Sequence, residues 1–155
     1  MKILIELPTW LGDTVMVTPA IENIVSHFNQ PQVTIVGSFI SIEVMKNHPN
    51  VYKAEVLKKN YRSLIQISKK LDRFDVYFSF RGSVRSLIFK LLIPSKNKYQ
   101  FDKNKFQNCH QVEKYNRFVN ESLDTNFVAG KLKIYNTIQK SFPKTLPVLG
   151  INPGS

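Results

Sequence analysis

The stretch Glu6-Leu-Pro-Thr-Trp-Leu-Gly-Asp-Thr-Val-Met-Val-Thr-Pro-Ala-Ile-Glu22 decides the fold. Leading into it, Lys2-Ile-Leu-Ile-Glu-Leu7 is a short run rich in branched residues and stopped by Pro8. A run of that length reads as a strand buried in a parallel sheet. Beyond it, Val17, Ala20, Ile21, Ile24, Val25 and Phe28 recur at helical spacing and form one apolar stripe. The segment is therefore a strand, a tight loop and a helix. The loop leaves the carboxyl end of the first strand, the edge at which open α/β sheets bind ligands. Gly12 permits a close backbone approach that a side chain would block. Asp13 stands where the helix is expected to begin.

Working outward, the same alternation continues. Strands are expected at Gln32–Gly37, Tyr52–Leu57, Asp75–Phe80, Lys98–Phe101 and Pro147–Asn152. Helices are expected at Phe39–Asn47, Tyr61–Arg73, Val84–Leu92 and Gln111–Leu123. Strands alternating with helices predict a Rossmann-like parallel sheet with helices on both faces. Two stretches read as irregular. Lys96–Cys109 is polar and aromatic, the pattern of a mobile loop, and Phe127–Lys144 is a connector with strand character at Lys131–Ile134.

With 155 residues the chain can bury the core of one domain. The net charge is +11 and unevenly spread. Residues 53–106 carry fourteen basic and four acidic side chains, whereas residues 1–52 carry two and four. A concentrated patch attracts phosphate-rich partners: nucleic acid, anionic lipid or a phosphorylated glycan. The other reading is a solvated, Lys-rich surface. One cysteine, Cys109, excludes an internal disulfide and a cysteine-based metal site. Glu6 interrupts the apolar start too early for a signal peptide, and Lys90 breaks the run Ser86–Ile93. A cytoplasmic protein is expected, with peripheral contact at the inner face of the membrane as an option.

No Gly-x-Gly-x-x-Gly follows the first strand and no Walker loop occurs, which argues against dinucleotide and P-loop sites. Asp13 has two readings from its position: a helix N-cap, shared with Thr14 or Thr18, or a general base at the mouth of the sheet. The cap reading predicts that alanine there costs stability. Arg81 and Arg85 flank Gly82-Ser83 beyond the fourth strand, where backbone N–H groups and guanidinium forks can hold an anion. Alternatively both arginines are solvated and Ser83 only caps the helix. Trp10 either stacks on a sugar face or packs. Lys58, Lys59 and Arg62 at the third helix either reach a phosphorylated ligand or solubilise. His110 reads as a helix start, and His27 and His48 as surface or turn residues.

Pro8, Trp10-Leu-Gly-Asp13, Val15-Met16 and Thr18-Pro-Ala-Ile21 resemble the N-terminal signature of the ADP-heptose:lipopolysaccharide heptosyltransferases, glycosyltransferase family 9, most closely the type II enzymes. Weaker likenesses are Ser83, Arg85 and Ser86 to a Ser-x-basic-Ser element, His110-Gln-Val-Glu113 with Tyr115 to a helix start, and Gly150–Ser155 to the strand opening a second domain. Lysine is usual where Arg85 stands. The resemblance implies the N-terminal half of a GT-B glycosyltransferase, with residues 1–146 as the acceptor-binding domain and 147–155 as the start of the linker and second domain. It implies an inverting transfer of L-glycero-D-manno-heptose from ADP-heptose onto the first heptose of the lipopolysaccharide inner core. No cofactor or metal is expected, and ADP-heptose is held mainly by the other half. The isolated chain is then expected to be inactive. Asp13 becomes the catalytic base, and Trp10, Gly12, Thr14, Arg62, Arg81, Ser83 and Arg85 the candidate acceptor contacts. The rival reading is a non-enzymatic basic domain for nucleic acid or an anionic membrane surface, with Tyr61, Tyr77, Phe78 and Phe80 nearby; a type I enzyme is a third.

Overall fold

The computed structural model of the chain describes residues 1–135. Five strands, β1 (Lys2–Glu6), β2 (Gln32–Gly37), β3 (Val51–Val56), β4 (Phe74–Ser79) and β5 (Ser95–Gln100), form one sheet in the order β3-β2-β1-β4-β5. Every pairing is parallel. The central strands are apolar almost throughout because helices cover both their faces. The edge strand β3 alternates in burial, and both edges carry lysines (Lys53, Lys96 and Lys98), which discourage further pairing. The Rossmann-like parallel sheet expected from the sequence is what the structure contains.

Helices α1 (Leu11–Met16), α2 (Thr18–His27), α3 (Phe39–Met45) and α6 (Gln111–Leu123) share one core with one face of the sheet. Helices α4 (Tyr61–Lys70) and α5 (Val84–Leu92) cover the other, over a smaller core that includes Leu4, Leu64, Tyr77 and Phe89.

The expected first helix is two. Pro19 has no N–H to give to the Val15 carbonyl, and the Thr18 hydroxyl donates to that carbonyl instead at 2.7 Å. The chain turns there and α2 starts afresh with Pro19 in its first turn. Lys96–Cys109 is no mobile loop throughout: it contributes most of β5, and Phe101 and Phe106 stack at 6.0 Å with both rings buried. Lys131–Ile134 forms no strand. The Lys133 N–H instead donates to the Thr18 hydroxyl at 3.0 Å. The expected strand at Pro147–Asn152 and the boundary at residue 146 lie outside the described residues.

Candidate active site

Strand order reverses between β1 and β4: the chain proceeds one way from β1 to β2 and β3, and the other way from β4 to β5. The loops leaving the carboxyl ends of these two strands therefore diverge and leave a crevice, the general ligand site of such sheets. A cleft of about 340 Å³ lies there. Pro8, Thr9, Trp10 and Asp13 form one wall, Phe80, Arg81, Gly82 and Ser83 the other, and Phe101, Lys103, Gln111 and Tyr115 close the end.

The first wall is held from beneath. The Ser41 hydroxyl donates to the Pro8 carbonyl at 2.5 Å and that of Ser38 to the Thr9 carbonyl at 2.9 Å. Thr14 is fully buried and donates to the Trp10 carbonyl at 2.9 Å. Thr14 thus fastens the loop and is not available to a ligand, contrary to its assignment as an acceptor contact. Trp10 does not pack: the residue is 73% exposed and lines the cleft. Its backbone is the N-cap of α1, without a side-chain cap bond. Asp13 is the third helical residue, in the first turn, and caps nothing. Among the described residues its carboxylate has no hydrogen-bond or ion-pair partner, so the cap reading fails. A Cβ at Gly12 would meet nothing within 4 Å, so this chain does not itself require glycine there.

The opposite wall rests on a buried carboxylate. Glu6, at the end of β1, is 1% exposed and faces Ser79 in the β1–β4 register. It accepts from the Tyr77 hydroxyl at 2.7 Å, the Ser79 hydroxyl at 2.6 Å and the Ser86 hydroxyl at 2.9 Å. Arg81 Nη1 stands 3.6 Å away. Burial, then the adjacent Glu6 charge, pushes the Tyr77 hydroxyl well above its ordinary range, so it stays a donor. The arginines are consequently not solvated. Arg81 is 17% exposed, ion-paired to Glu6, and reaches the cleft. Arg85 does not line it. Its Nη2 donates to the Lys58 carbonyl, and its Nε is buried without a partner. Burial first, and then the neighbouring Arg81 charge, lowers the Arg85 pKa. Gly82 is tightly placed: a Cβ there would lie 3.1 Å from the Phe101 carbonyl oxygen.

Ser83 caps α5 by accepting from the Ser86 N–H at 3.2 Å, yet still borders the cleft. The Ser83–Ser86 element is therefore mostly structural. Arg62 is exposed at the start of α4 and does not border the cleft. His110 caps α6, accepting from the Val112 N–H at 3.4 Å, as expected. The Tyr115 hydroxyl is pushed up to about 12, by burial first and by the Asp13 charge second, which keeps it a donor beside that carboxylate. Lys103 and Gln111 escaped the sequence reading, and Glu6 entered it only as a charge in an apolar run. The signal for Glu6 was polar residues recurring inside apolar runs: Glu6, Ser79 and Ser86. Of the four aromatics invoked for nucleic-acid stacking, Tyr77, Phe78 and Phe80 are buried and unavailable, and only Tyr61 is exposed.

No protein-family model matches the chain. Lipooligosaccharide heptosyltransferase 2 of Campylobacter jejuni subsp. jejuni serotype O:2 is 37% identical over 163 residues, an alignment spanning 100% of this chain and 50% of that protein. The chain is a homologue of the heptosyltransferases. It spans about half the length of the curated relatives it matches. Among solved structures, the glycosyl transferase family 9 protein from Veillonella parvula DSM 2008 superposes with a TM-score of 0.72 at 18% identity, covering 86% of this chain and 44% of that one. E. coli heptosyltransferase WaaC with ADP gives 0.67 at 15% identity, covering 85% and 50%. At these identities the two structures establish the shared fold, the Rossmann-like half of a GT-B glycosyltransferase.

Proposed function

We propose that this heptosyltransferase homologue is the N-terminal, acceptor-side half of an inverting enzyme. That enzyme would move L-glycero-D-manno-heptose from ADP-heptose to the first heptose of the lipopolysaccharide inner core. Residues 1–146 would form the acceptor domain, and the remainder of the enzyme would grip ADP. The observation that carries the reading is Asp13: a carboxylate with no partner among the described residues, in the wall of a cleft at the topological switch point, on a loop fixed by Ser38, Ser41 and Thr14. In the reaction an acceptor hydroxyl attacks the anomeric carbon from the face opposite ADP. The new C–O bond forms as the bond to the diphosphate breaks, ADP leaves with the electron pair, and Asp13 takes the hydroxyl proton. Trp10 offers its face to a sugar ring, and Arg81 and Lys103 offer charge to acidic groups of the acceptor.

The enzyme would act in the cytoplasm and touch the inner face of the membrane peripherally, where a lipid-linked acceptor is found. No helix among the described residues is long and apolar enough to cross a membrane.

The test uses the full-length protein of which this chain is proposed to be half. It should release ADP from ADP-heptose only when a monoheptosylated inner core is present, and the product should have the inverted anomeric configuration. This chain alone should give no saturable heat with ADP in titration calorimetry. Tight one-to-one binding of ADP by the isolated chain would overturn the division of labour.

A further inference from the structure

The two faces of the sheet are finished differently. On α5 the aliphatic side chains Val84, Leu87, Ile88, Leu91 and Leu92 all face solvent, Val84 at 72% and Leu91 at 73% exposure. Neither α4 nor α5 contains an acidic residue. Lys90 flanks the stripe on the same helix, Arg62, Lys69 and Lys70 lie on the neighbouring α4, and Lys98 lies on the adjacent edge strand, where Lys96 is paired with Asp75. Five exposed aliphatic residues on one nine-residue helix are more than a surface scatters by chance.

We infer that the outer face of α5, with the basic residues around it, docks the protein on an anionic lipid bilayer. The chemistry selects this occupant. Protein interfaces favour aromatic residues and arginine and are depleted in lysine. This face is aliphatic and lysine-rich, the composition of a helix lying in a lipid headgroup layer. Each basic residue near such a surface strengthens binding by roughly fivefold. Geometry adds a second argument. A hollow of about 370 Å³, lined by Val84, Leu87 and Lys90, shares Gly82, Ser83 and Phe101 with the cleft. It lies beside the candidate active site, on the other side of the wall formed by Gly82, Ser83 and Phe101, and Asp102 also lines it. An acceptor anchored in a bilayer under α5 would reach Asp13 over the edge formed by Gly82 and Ser83. This route rests on the proposed use of a lipid-linked acceptor, whereas the docking itself does not.

The experiment is vesicle co-sedimentation of this chain. The probes are vesicles of phosphatidylglycerol and phosphatidylethanolamine at 3:7, and vesicles of phosphatidylcholine alone. The chain should bind the first, ignore the second, and be released by 0.5 M salt. Leu87→Asp/Leu91→Asp should keep its circular dichroism and melting temperature and need at least ~tenfold more anionic lipid for half-binding. Lys69→Glu/Lys70→Glu should weaken binding as well. Equal binding by parent and leucine variant would overturn the inference. So would a parent that ignores anionic vesicles but forms a dimer broken by the variant, or one that prefers random DNA to vesicles. Transfer to a water-soluble, delipidated acceptor by the full-length protein reads the cleft separately. Vesicle binding without that transfer overturns the proposed function alone, and transfer without vesicle binding overturns the docking alone.

Discussion

Two carboxylates stand seven residues apart on either side of one loop, and the molecule treats them oppositely. Glu6 is buried against three hydroxyl groups and a guanidinium. Asp13 opens on the cleft with no partner among the described residues. The lone pairs of Glu6 are committed. It ties β1 to β4 and to the first turn of α5, and it sets the direction of Arg81. Those of Asp13 are free, which is what a group needs if it is to take a proton from a ligand. Removal of the two should therefore fail in different currencies, catalysis for Asp13 and stability for Glu6.

The largest effect is expected at Asp13. In the full-length protein Asp13→Asn should lower turnover by ~10²–10⁴. Because Asp13 caps nothing, Asn and Ala variants should melt alike, each within about 1 kcal/mol of the parent, the value of a carboxylate in a first helical turn. Turnover near the parental value in either variant would leave Asp13 without a chemical role. The converse is Glu6→Ala, measured on this chain by urea unfolding. Removing one side of a buried charged network strands the other, here Arg81, at a cost of ~3–5 kcal/mol. A variant as stable as the parent would show that the network fastens nothing.

The two arginines sharpen the contrast, since they divide along the same line. Arg81→Gln in the full-length protein should raise the acceptor KM by about tenfold, the value of one charged hydrogen bond, and leave the donor KM in place. Arg85→Gln should leave both constants in place and cost about 1 kcal/mol of stability through the lost bond to the Lys58 carbonyl. If Arg85→Gln raises the acceptor KM as much as Arg81→Gln, the cleft extends further than its walls indicate.

Much of this was legible in the sequence where neighbours in the chain decide the outcome. The spans of β2, α5 and α6 follow from local periodicity and flanking breakers. Ser83 and His110 as caps follow from their positions before apolar runs. What local pattern could not supply is anything set by register or by distant packing. The partners of Glu6 lie 71 to 80 residues away and meet it only because β1 lies beside β4. Thr14 was read in the wrong sense, and the choice for Trp10 between packing and the cleft stayed open, because nothing local distinguishes a loop side chain turned inward from one turned out. Lys103 sits in a stretch whose polar composition hid the buried Phe101 and Phe106.

A third carboxylate extends the comparison to a site remote from the cleft. Glu22 on α2 accepts from Lys133 Nζ at 2.9 Å, from the Tyr135 hydroxyl and from His48 Nε2 at 3.0 Å. His48, read from sequence as a surface or turn residue, is buried. Its Nδ1 accepts from the Asn50 N–H at 3.0 Å, so the neutral ring carries its proton on Nε2 and gives it to Glu22. Burial lowers the His48 pKa below its ordinary 6.5, although the Glu22 carboxylate pulls the other way. Burial alone would raise Glu22, but hydrogen bonds from Tyr135, Lys133 and His48 outweigh it and the net shift is downward from 4.5. Both groups therefore bind protons more readily in the unfolded chain, and stability must fall with acidification. The His48 contribution is complete above pH 6.5 and declines below it, and that of Glu22 begins to decline near 4.5. Melting temperatures of this chain should thus decrease between pH 7 and pH 5. His48→Gln keeps a donor for Glu22 and removes the titration. It should cost about 1 kcal/mol at pH 7 for poorer hydrogen-bond geometry and flatten the decline above pH 5. If parent and variant lose stability in parallel over that range, His48 is a packed ring whose proton has no part in holding Lys133 and Tyr135 against α2.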